Sequence, residues 1–224
     1  MITLHHLENS RSQRILWLLE EMGVEYTIEH YKRDKVTSLA PPELQKLHPL
    51  GKSPIVTDND VTVAESGAII EYLVGKYDDG TLQPPEATPE RRCYTYWMHY
   101  AEGTFAPLML IQLILSRIEN APVPFFLKPV TRGIAAKVRD GYLGPNISRN
   151  LAFIESTLGK SSWFCGDKIS AADIQMSFAV EAAEVRSDMS KLPNIVAFLE
   201  QMRARPAYRR GLERGGPHAL LGMN

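Results

Sequence analysis

The sequence predicts an α+β protein in which a mixed α/β domain is followed by an all-helical domain. Two observations indicate this order. Strand-like and helical segments alternate up to residue 77, and after a polar segment rich in Asp and Pro the apolar residues follow helical spacing. We therefore expect a first domain at 1–80, a linker at 81–88 and a helical domain at 89–224. With 224 residues, of which 44% are hydrophobic, the chain can build both cores.

The first domain is expected to begin with a strand, a helix and a second strand. Residues 2–6 indicate a short strand, and apolar residues at helical spacing predict a helix over 12–22. Alternation over 25–31 predicts a second strand, so the three segments form a βαβ unit with parallel strands. Side chains alternate along a strand, so we expect one of His5 and His6 to be buried and the other exposed.

A hairpin and two helices are expected before the linker. A short helix is predicted at 43–47, after two prolines, and the hairpin strands are predicted at 55–58 and 61–63. Pro54 stands at the first strand's start, where a missing N–H is tolerated and where a cis peptide bond is an open alternative. A longer helix is predicted to open at 64–67 and to run through residue 77.

Prolines and glycines divide the predicted helical domain. One long helix is expected over 90–119, with a bend near Gly103 and Pro107, because a proline ring removes a backbone hydrogen bond. A second is expected over 126–158, with a distortion at 141–145. Three more helices are expected to begin near residue 168, at Pro193 and at Pro206.

Two predicted helix starts carry polar side chains, and we expect different roles for them. Ser10 lies at or just before the first turn of the first helix, where unpaired N–H groups and the helix dipole favour an anion. The alternative is that Ser10 only caps the helix. Ser170 and Asp173 form an S/T-x-x-D capping pair, which predicts a buried helix start and no functional site.

Composition excludes several classes of function. The 25 basic and 26 acidic residues give a net charge of −1, so there is no basic excess for nucleic acid. No apolar run reaches the length of a bilayer span, and the N-terminus lacks a signal-peptide pattern. Cys93 and Cys165 have no metal-ligand spacing. We therefore expect a cytoplasmic protein without nucleic acid, membrane or metal partners.

Four sequence motifs stand out along the chain, namely NSRSQRILWLLEE around Ser10, GKSP at 51–54, ESGAIIEYL at 65–73 and FCGDKISAADI at 164–174. Together they resemble those of cytosolic glutathione transferases of the serine type. Bacterial and fungal members close to the theta and phi classes are the most similar. The resemblance covers the whole chain. It implies a thioredoxin-like N-terminal domain, an all-helical C-terminal domain and glutathione as co-substrate.

The resemblance also implies which residues bind glutathione. The backbone of Ser53 would pair with the cysteinyl part like an added strand, and Pro54 would be the family's cis proline. Glu65 would pair with the ammonium of the γ-glutamyl end, while Ser66 and the helix N-terminus would take its carboxylate. The candidates for the glycyl carboxylate are three lysines, Lys52 first and Lys35 or Lys32 as alternatives.

By the same resemblance, Ser10 is the catalytic residue. Its hydroxyl would donate to the glutathione sulfur and stabilise the thiolate, and Ser12 is the alternative donor. Ser10 is favoured because it lies four residues before Arg14, as in serine-type relatives, and Arg11 is expected to reach the site as well. The implied activity is conjugation of glutathione to small electrophiles in detoxification, with reduction of organic hydroperoxides as a second reaction. The alternative is a non-catalytic binding or scaffold protein of the same fold.

The electrophile pocket and the subunit contact are expected on the long helices. Four residues are the candidates for the pocket, namely Tyr100, Phe105, Met109 and Gln112. The alternative for each is that it only packs in the helical core. The resemblance also implies a homodimer, in which the helix after Ser66 and the helix from Glu90 pair two copies about a twofold axis.

Overall fold

A four-stranded mixed sheet organises the N-terminal domain. The computed structural model describes residues 1–216 and 218. The strands are β1 Ile2–Leu7, β2 Tyr26–Tyr31, β3 Ile55–Asp58 and β4 Val61–Ala64, in the order β2-β1-β3-β4. β1 pairs parallel with β2 and antiparallel with β3, and β3 pairs antiparallel with β4. The predicted βαβ unit and hairpin are therefore confirmed, as is the thioredoxin-like arrangement.

Three helices complete this domain, namely α1 Ser12–Met22, α2 Glu43–Leu47 and α3 Ser66–Tyr77. Gly23 ends α1 in the left-handed conformation, with φ of 66°, which a residue without Cβ adopts at little cost. The apolar side of α1 is fully buried and shares one core with Leu4 of β1 and Val56 of β3. This core fixes the turn between β1 and α1, which carries Ser10.

The rest of the described chain is built from helices. They are α4 Pro89–Tyr100, α5 Ala106–Glu119, α6 Lys128–Val138, α7 Gly144–Leu158, α8 Ala171–Glu184, α9 Pro193–Ala204 and α10 Pro206–Gly215. An irregular segment connects α3 to α4, and it is attached to the helical part. Leu82 in this segment is buried, and its carbonyl accepts a hydrogen bond from the Ala171 N–H at 2.8 Å.

Both long helices contain a π-helical turn where the sequence predicts a bend or distortion. Ala101–Phe105 separates α4 from α5, and Arg139–Leu143 separates α6 from α7. In the first turn the Ala106 N–H donates to the Ala101 carbonyl, five residues back. One inserted residue rotates the following helix by about 100° relative to the face before it. Helical spacing before residue 101 therefore does not fix which side chains of α5 face the first domain.

The bent segment Pro89–Glu119 is long and apolar enough to cross a membrane by length and composition alone. Of its most apolar window, 33% is buried inside the fold. Because the core helices of many folds meet the same two criteria, this finding by itself does not indicate a membrane-spanning protein.

Helices α1, α8 and α10 join the two domains. Arg14 in α1 donates from Nη1 to Gln175 Oε1 in α8 at 2.6 Å. Trp17 meets the Tyr208 ring of α10 edge to face, with ring centroids 5.4 Å apart. Gly211 lets α10 approach closely, since a Cβ there would lie 3.2 Å from the Trp17 backbone nitrogen. The start of α1 is thus held by both domains.

Candidate active site

A cavity of 260 Å³ opens where three turns of the N-terminal domain face the first π-helical turn of the helical domain. It is lined by Arg11, His48, Leu50, Lys52, Ser53, Pro54, Ala64, Glu65, Ser66, Glu102 and Leu110. Five of the six residues predicted to bind glutathione are therefore together in one cavity. The sixth, Ser10, is buried behind the lining, next to Arg11 in the chain.

Ser53 and Pro54 form one edge of the cavity through their backbone. The peptide bond between them is cis. The Ser53 hydroxyl donates to the His5 carbonyl at 3.0 Å and accepts from the Leu7 N–H at 3.2 Å, so the side chain is tied to β1. Its backbone N–H and C=O take no part in the sheet pairing of the described residues. This edge can therefore pair with an extended peptide segment.

The start of α3 forms the opposite edge of the cavity. Glu65 has φ of 73° and ψ of 125°, a conformation that costs a residue with a Cβ about 1–3 kcal/mol. No side chain caps the helix, and its first turn contains no acidic residue. The buried Ser66 hydroxyl and the first N–H groups of α3 can therefore bind a carboxylate, with the exposed Glu65 beside them for an ammonium.

Ser10 and Ser12 form one buried hydrogen-bonded pair. Their hydroxyl oxygens are 2.7 Å apart, and Ser10 Oγ accepts from the Ser12 N–H at 3.2 Å. Ser10 Oγ also lies 3.5 Å from Ser53 Oγ, on the side of the cavity. The Ser12 hydroxyl is fully buried and lies 2.8 Å from His6 Nδ1 and 3.2 Å from the Leu7 carbonyl. Ser10 is thus the hydroxyl closer to the cavity, and its oxygen also receives a capping bond.

His6 is a neutral partner of this pair. Burial, and then the neighbouring His30, lower the pKa of His6 to about 4, so the ring carries no charge at pH 7. His5 is buried as well, between Tyr31 and Thr57. The prediction that one of the two histidines is exposed is therefore wrong. β1 is the second strand of four, and the backbone of α10 covers His6.

The three lysine candidates for the glycyl carboxylate differ in their position relative to the cavity. Lys52 is exposed at the mouth of the cavity and belongs to its lining. Lys32 and Lys35 are exposed in the segment after β2, and neither lines the cavity. Of these three lysines, Lys52 is the one that lines the cavity, and its role toward the glycyl carboxylate stays a prediction.

The four electrophile-pocket candidates lie outside this cavity. Tyr100, Phe105 and Met109 are buried in the helical core, where the Tyr100 hydroxyl donates to Asn150. Gln112 lines a second cavity on another side of α5 and donates to the Arg186 carbonyl at 2.9 Å. Two other residues of the helical domain line the first cavity, Glu102 and Leu110. For Met109 and Gln112, which lie on α5, the reason is the π-helical turn, which changes the face that α5 presents.

Glu102 is a charged lining residue that sequence reasoning did not assign, and it pairs with Arg11, which was expected to reach the site. Arg11 Nε donates to Glu102 Oε2 at 3.1 Å across the junction of the two domains. Burial alone would raise the pKa of Glu102, but the Arg14 and Arg11 guanidiniums outweigh it and lower that pKa. The available signal in the sequence was a carboxylate directly before the Gly103 bend of the long helix predicted over 90–119.

Comparisons with known proteins agree with this site. Residues 1–75 match the family model of the glutathione S-transferase N-terminal domain, and residues 142–206 match that of the C-terminal domain. Glutathione S-transferase 3 of Schizosaccharomyces pombe is 40% identical over 96% of this chain and 88% of its own length. Glutathione S-transferase 1 of Saccharomyces cerevisiae is 35% identical over 82% of this chain and 81% of its own length.

A solved structure shows the same fold over the whole chain. The glutathione S-transferase of Actinobacillus pleuropneumoniae superposes with a TM-score of 0.77 at 31% identity, over 96% of this chain and 93% of that one. The cavity of the N-terminal domain, the helical domain and these relatives lead to the same conclusion. The chain belongs to the glutathione S-transferase family and is a glutathione transferase with glutathione as its co-substrate.

Proposed function

We propose that the enzyme conjugates the glutathione thiolate to small hydrophobic electrophiles, with Ser10 as the residue that stabilises the thiolate. The observation that carries this proposal is the convergence of Ser53, Glu65 and Ser66 in one cavity beside the Ser10 hydroxyl. Glutathione laid along the Ser53 backbone, with its γ-glutamyl end at the start of α3, would direct its sulfur toward the β1–α1 turn.

The β1–α1 turn can supply the free energy that stabilisation of the thiolate requires. A thiol with a pKa near 8.5 is roughly 3% ionised at pH 7, and lowering the pKa by about two units takes ~2.7 kcal/mol. A hydroxyl that donates to a charged acceptor contributes about 1.5–3 kcal/mol. Ser10 would keep its proton throughout, so no general base is needed to remove it.

An ultraviolet titration of enzyme-bound glutathione tests the role of Ser10. We expect a thiolate pKa well below that of free glutathione in the wild type and in Ser12→Ala, and a pKa close to the free value in Ser10→Ala. Turnover of Ser10→Ala should fall about 10- to 100-fold, with little change in glutathione affinity.

Two outcomes would contradict the proposal. If Ser12→Ala alone abolished the shift, Ser12 would be the donor and Ser10 its cap. If glutathione bound to the wild type with an unshifted thiol, the conjugation mechanism would be lost. The non-catalytic scaffold alternative is not favoured, because the curated relatives over most of the chain are glutathione S-transferases. Assays with an organic hydroperoxide would determine whether the thiolate also acts as a reductant.

We also propose that two copies pair through the outer faces of α3 and α4. On α4 the Tyr96 ring is 49% exposed, and 6.2 Å from its centroid lies the ring of Phe153 of α7, which is 42% exposed. Exposed apolar surface of this kind is typical of a protein contact. Light scattering should give twice the chain mass of 25.2 kDa, and Tyr96→Glu should lower it. Val185→Glu, at a residue 54% exposed after α8, is the control.

A cytoplasmic location and a role in detoxification complete the proposal. Both cysteines are free thiols, which suits a reducing compartment. Fractionation of cells into soluble, membrane and secreted material tests the location, and recovery outside the soluble fraction would contradict it.

A further inference from the structure

Two arginines share one carboxylate at the wall of the glutathione cavity. Arg11 Nε lies 3.2 and 3.1 Å from the two oxygens of Glu102, and Arg14 Nη1 lies 2.9 Å from Glu102 Oε1. Arg11 and Glu102 line the cavity, whereas the Arg14 side chain is completely buried beneath them. We call these three residues the charged triad.

The charged triad has an excess of one positive charge. Burial lowers the pKa of Arg14 to about 10, which still leaves the guanidinium protonated at pH 7. Its Nη1 is bonded to Glu102 and Gln175, but Nε and Nη2 are buried without a hydrogen-bond partner in the described part of the chain. Water is excluded from this guanidinium, so its charge is poorly screened. The buried Glu181 carboxylate also acts on Arg14 and offsets part of this charge, so the cation that an anion in the cavity would meet is the lining residue Arg11.

The position of Arg11 directs this excess charge toward the cavity. Its guanidinium lies over the Phe178 ring, 5.4 Å from the ring centroid, and the bond to Glu102 holds it from the other side. Arg11 follows Ser10 in the chain and lines the same cavity as Ser53, where the cysteinyl part of glutathione is expected. The side chain is 38% exposed, so a bound ligand can reach it.

We propose that Arg11 is a second stabiliser of the glutathione thiolate, acting through its charge, and that Glu102 positions Arg11 and limits its effect. This inference rests on the proposed function, because it concerns the same bound sulfur. It differs in the group that acts: Ser10 supplies one hydrogen bond, whereas Arg11 supplies a cation held at a fixed place between two domains. The enzyme would then favour the thiolate even before an electrophile binds.

The decisive experiment is the titration of bound glutathione in Arg11→Met and Arg11→Lys. Arg11→Met removes the charge but keeps an unbranched side chain, and we expect the thiolate pKa to rise by about one pH unit. Arg11→Lys keeps the charge and should restore at least half of that shift. An unchanged pKa in Arg11→Met, or equal shifts in both variants, would overturn the proposal.

Glu102→Gln tests the second part of the proposal. Removal of the negative charge should leave two arginines unbalanced and lower the thiolate pKa by a few tenths of a unit. A rise of the pKa to the Arg11→Met value would contradict the limiting role of Glu102. If this variant does not fold, because Arg14 loses its partner, the Arg11 pair still decides the main claim.

A matched control separates local from general effects of charge. Arg210→Met removes an arginine that is 50% exposed and paired with Glu20 through a 2.7 Å contact on α10. It should leave the bound thiol unchanged, and a shift as large as that of Arg11→Met would overturn the inference. The proposed function fails separately, if the wild type shows no shift or Ser10→Ala retains it. A shift that depends on Ser10 and not on Arg11 would overturn this inference alone.

Discussion

The starts of α3 and α8 are opposite solutions to the same problem, since each must satisfy its first unpaired N–H groups. At the start of α8, Asp173 accepts from the N–H of Ser170 and from the N–H of Phe164, both at 2.8 Å, and the carboxylate is fully buried. At the start of α3, Glu65 is strained and makes no capping bond, and the helix opens on the cavity.

The difference separates stability from binding. The capping box predicted for Ser170 and Asp173 is confirmed, and its groups satisfy one another, so nothing remains for a ligand. The N-terminal groups of α3 open on the cavity and would be available to the proposed substrate, and the backbone strain at Glu65 would be the cost of that arrangement. Substitutions at the two helix starts should therefore act on different measured quantities.

The largest effect on stability is expected for Asp173→Ala. It leaves the buried N–H groups of Ser170 and Phe164 without an acceptor, and we expect a loss of about 3–5 kcal/mol in the free energy of unfolding by urea. Glutathione affinity of the folded fraction should not change. Asp188→Ala is the control, because Asp188 caps the Ser190 N–H at 2.9 Å on the surface and should matter by less than about 1 kcal/mol. Equal losses of unfolding free energy in both variants would show that burial of the capping box does not matter for stability.

Glu65→Ala is expected to weaken glutathione binding, by a smaller free energy than Asp173→Ala takes from folding stability. The ammonium of glutathione would lose its partner, so the dissociation constant measured by calorimetry should rise about 10- to 100-fold. The free energy of unfolding should stay within about 0.5 kcal/mol, because no hydrogen bond of the free enzyme is lost. Glu71→Ala, on the exposed side of the same helix, is the matched control and should leave affinity unchanged. Full affinity in Glu65→Ala would remove Glu65 from the glutathione site.

Local signals were sufficient to predict most of the fold, whereas one side of the cavity was predicted from the resemblance to glutathione transferases. The prolines at the predicted helix starts are the first residues of α9 and α10. The position of the Ser53–Pro54 turn was predicted as well, because backbone roles depend on local geometry. The start of α1 at Ser12 was also predicted, although only the packing shows Ser12 buried against His6 and Ser10 toward the cavity.

The helical side of the cavity could not be predicted in this way. An inserted residue in a π-helical turn leaves no reliable mark in the sequence, yet it decides that Glu102 and Leu110 line the cavity while Phe105 and Met109 are buried. The partners of Glu102 are also about 90 positions away in the chain, and only the packing of two domains brings them together.

The comparison of the two helix starts is tested most finely by Glu65→Gly. Glycine adopts positive φ without strain, which relieves about 1–3 kcal/mol, while the greater freedom of the unfolded chain costs about 0.5–1 kcal/mol. Glu65→Gly should therefore unfold at higher urea than Glu65→Ala, by about 1 kcal/mol. In the interior of the same helix the order should reverse, because Glu71→Gly introduces glycine where Ala is preferred by about 1 kcal/mol. If glycine destabilised both positions equally, the strain at the start of α3 would not be a property of the folded enzyme. If the signs differ as expected, the enzyme carries a backbone strain at the helix start that is proposed to bind glutathione, and the start of α8 has no such strain.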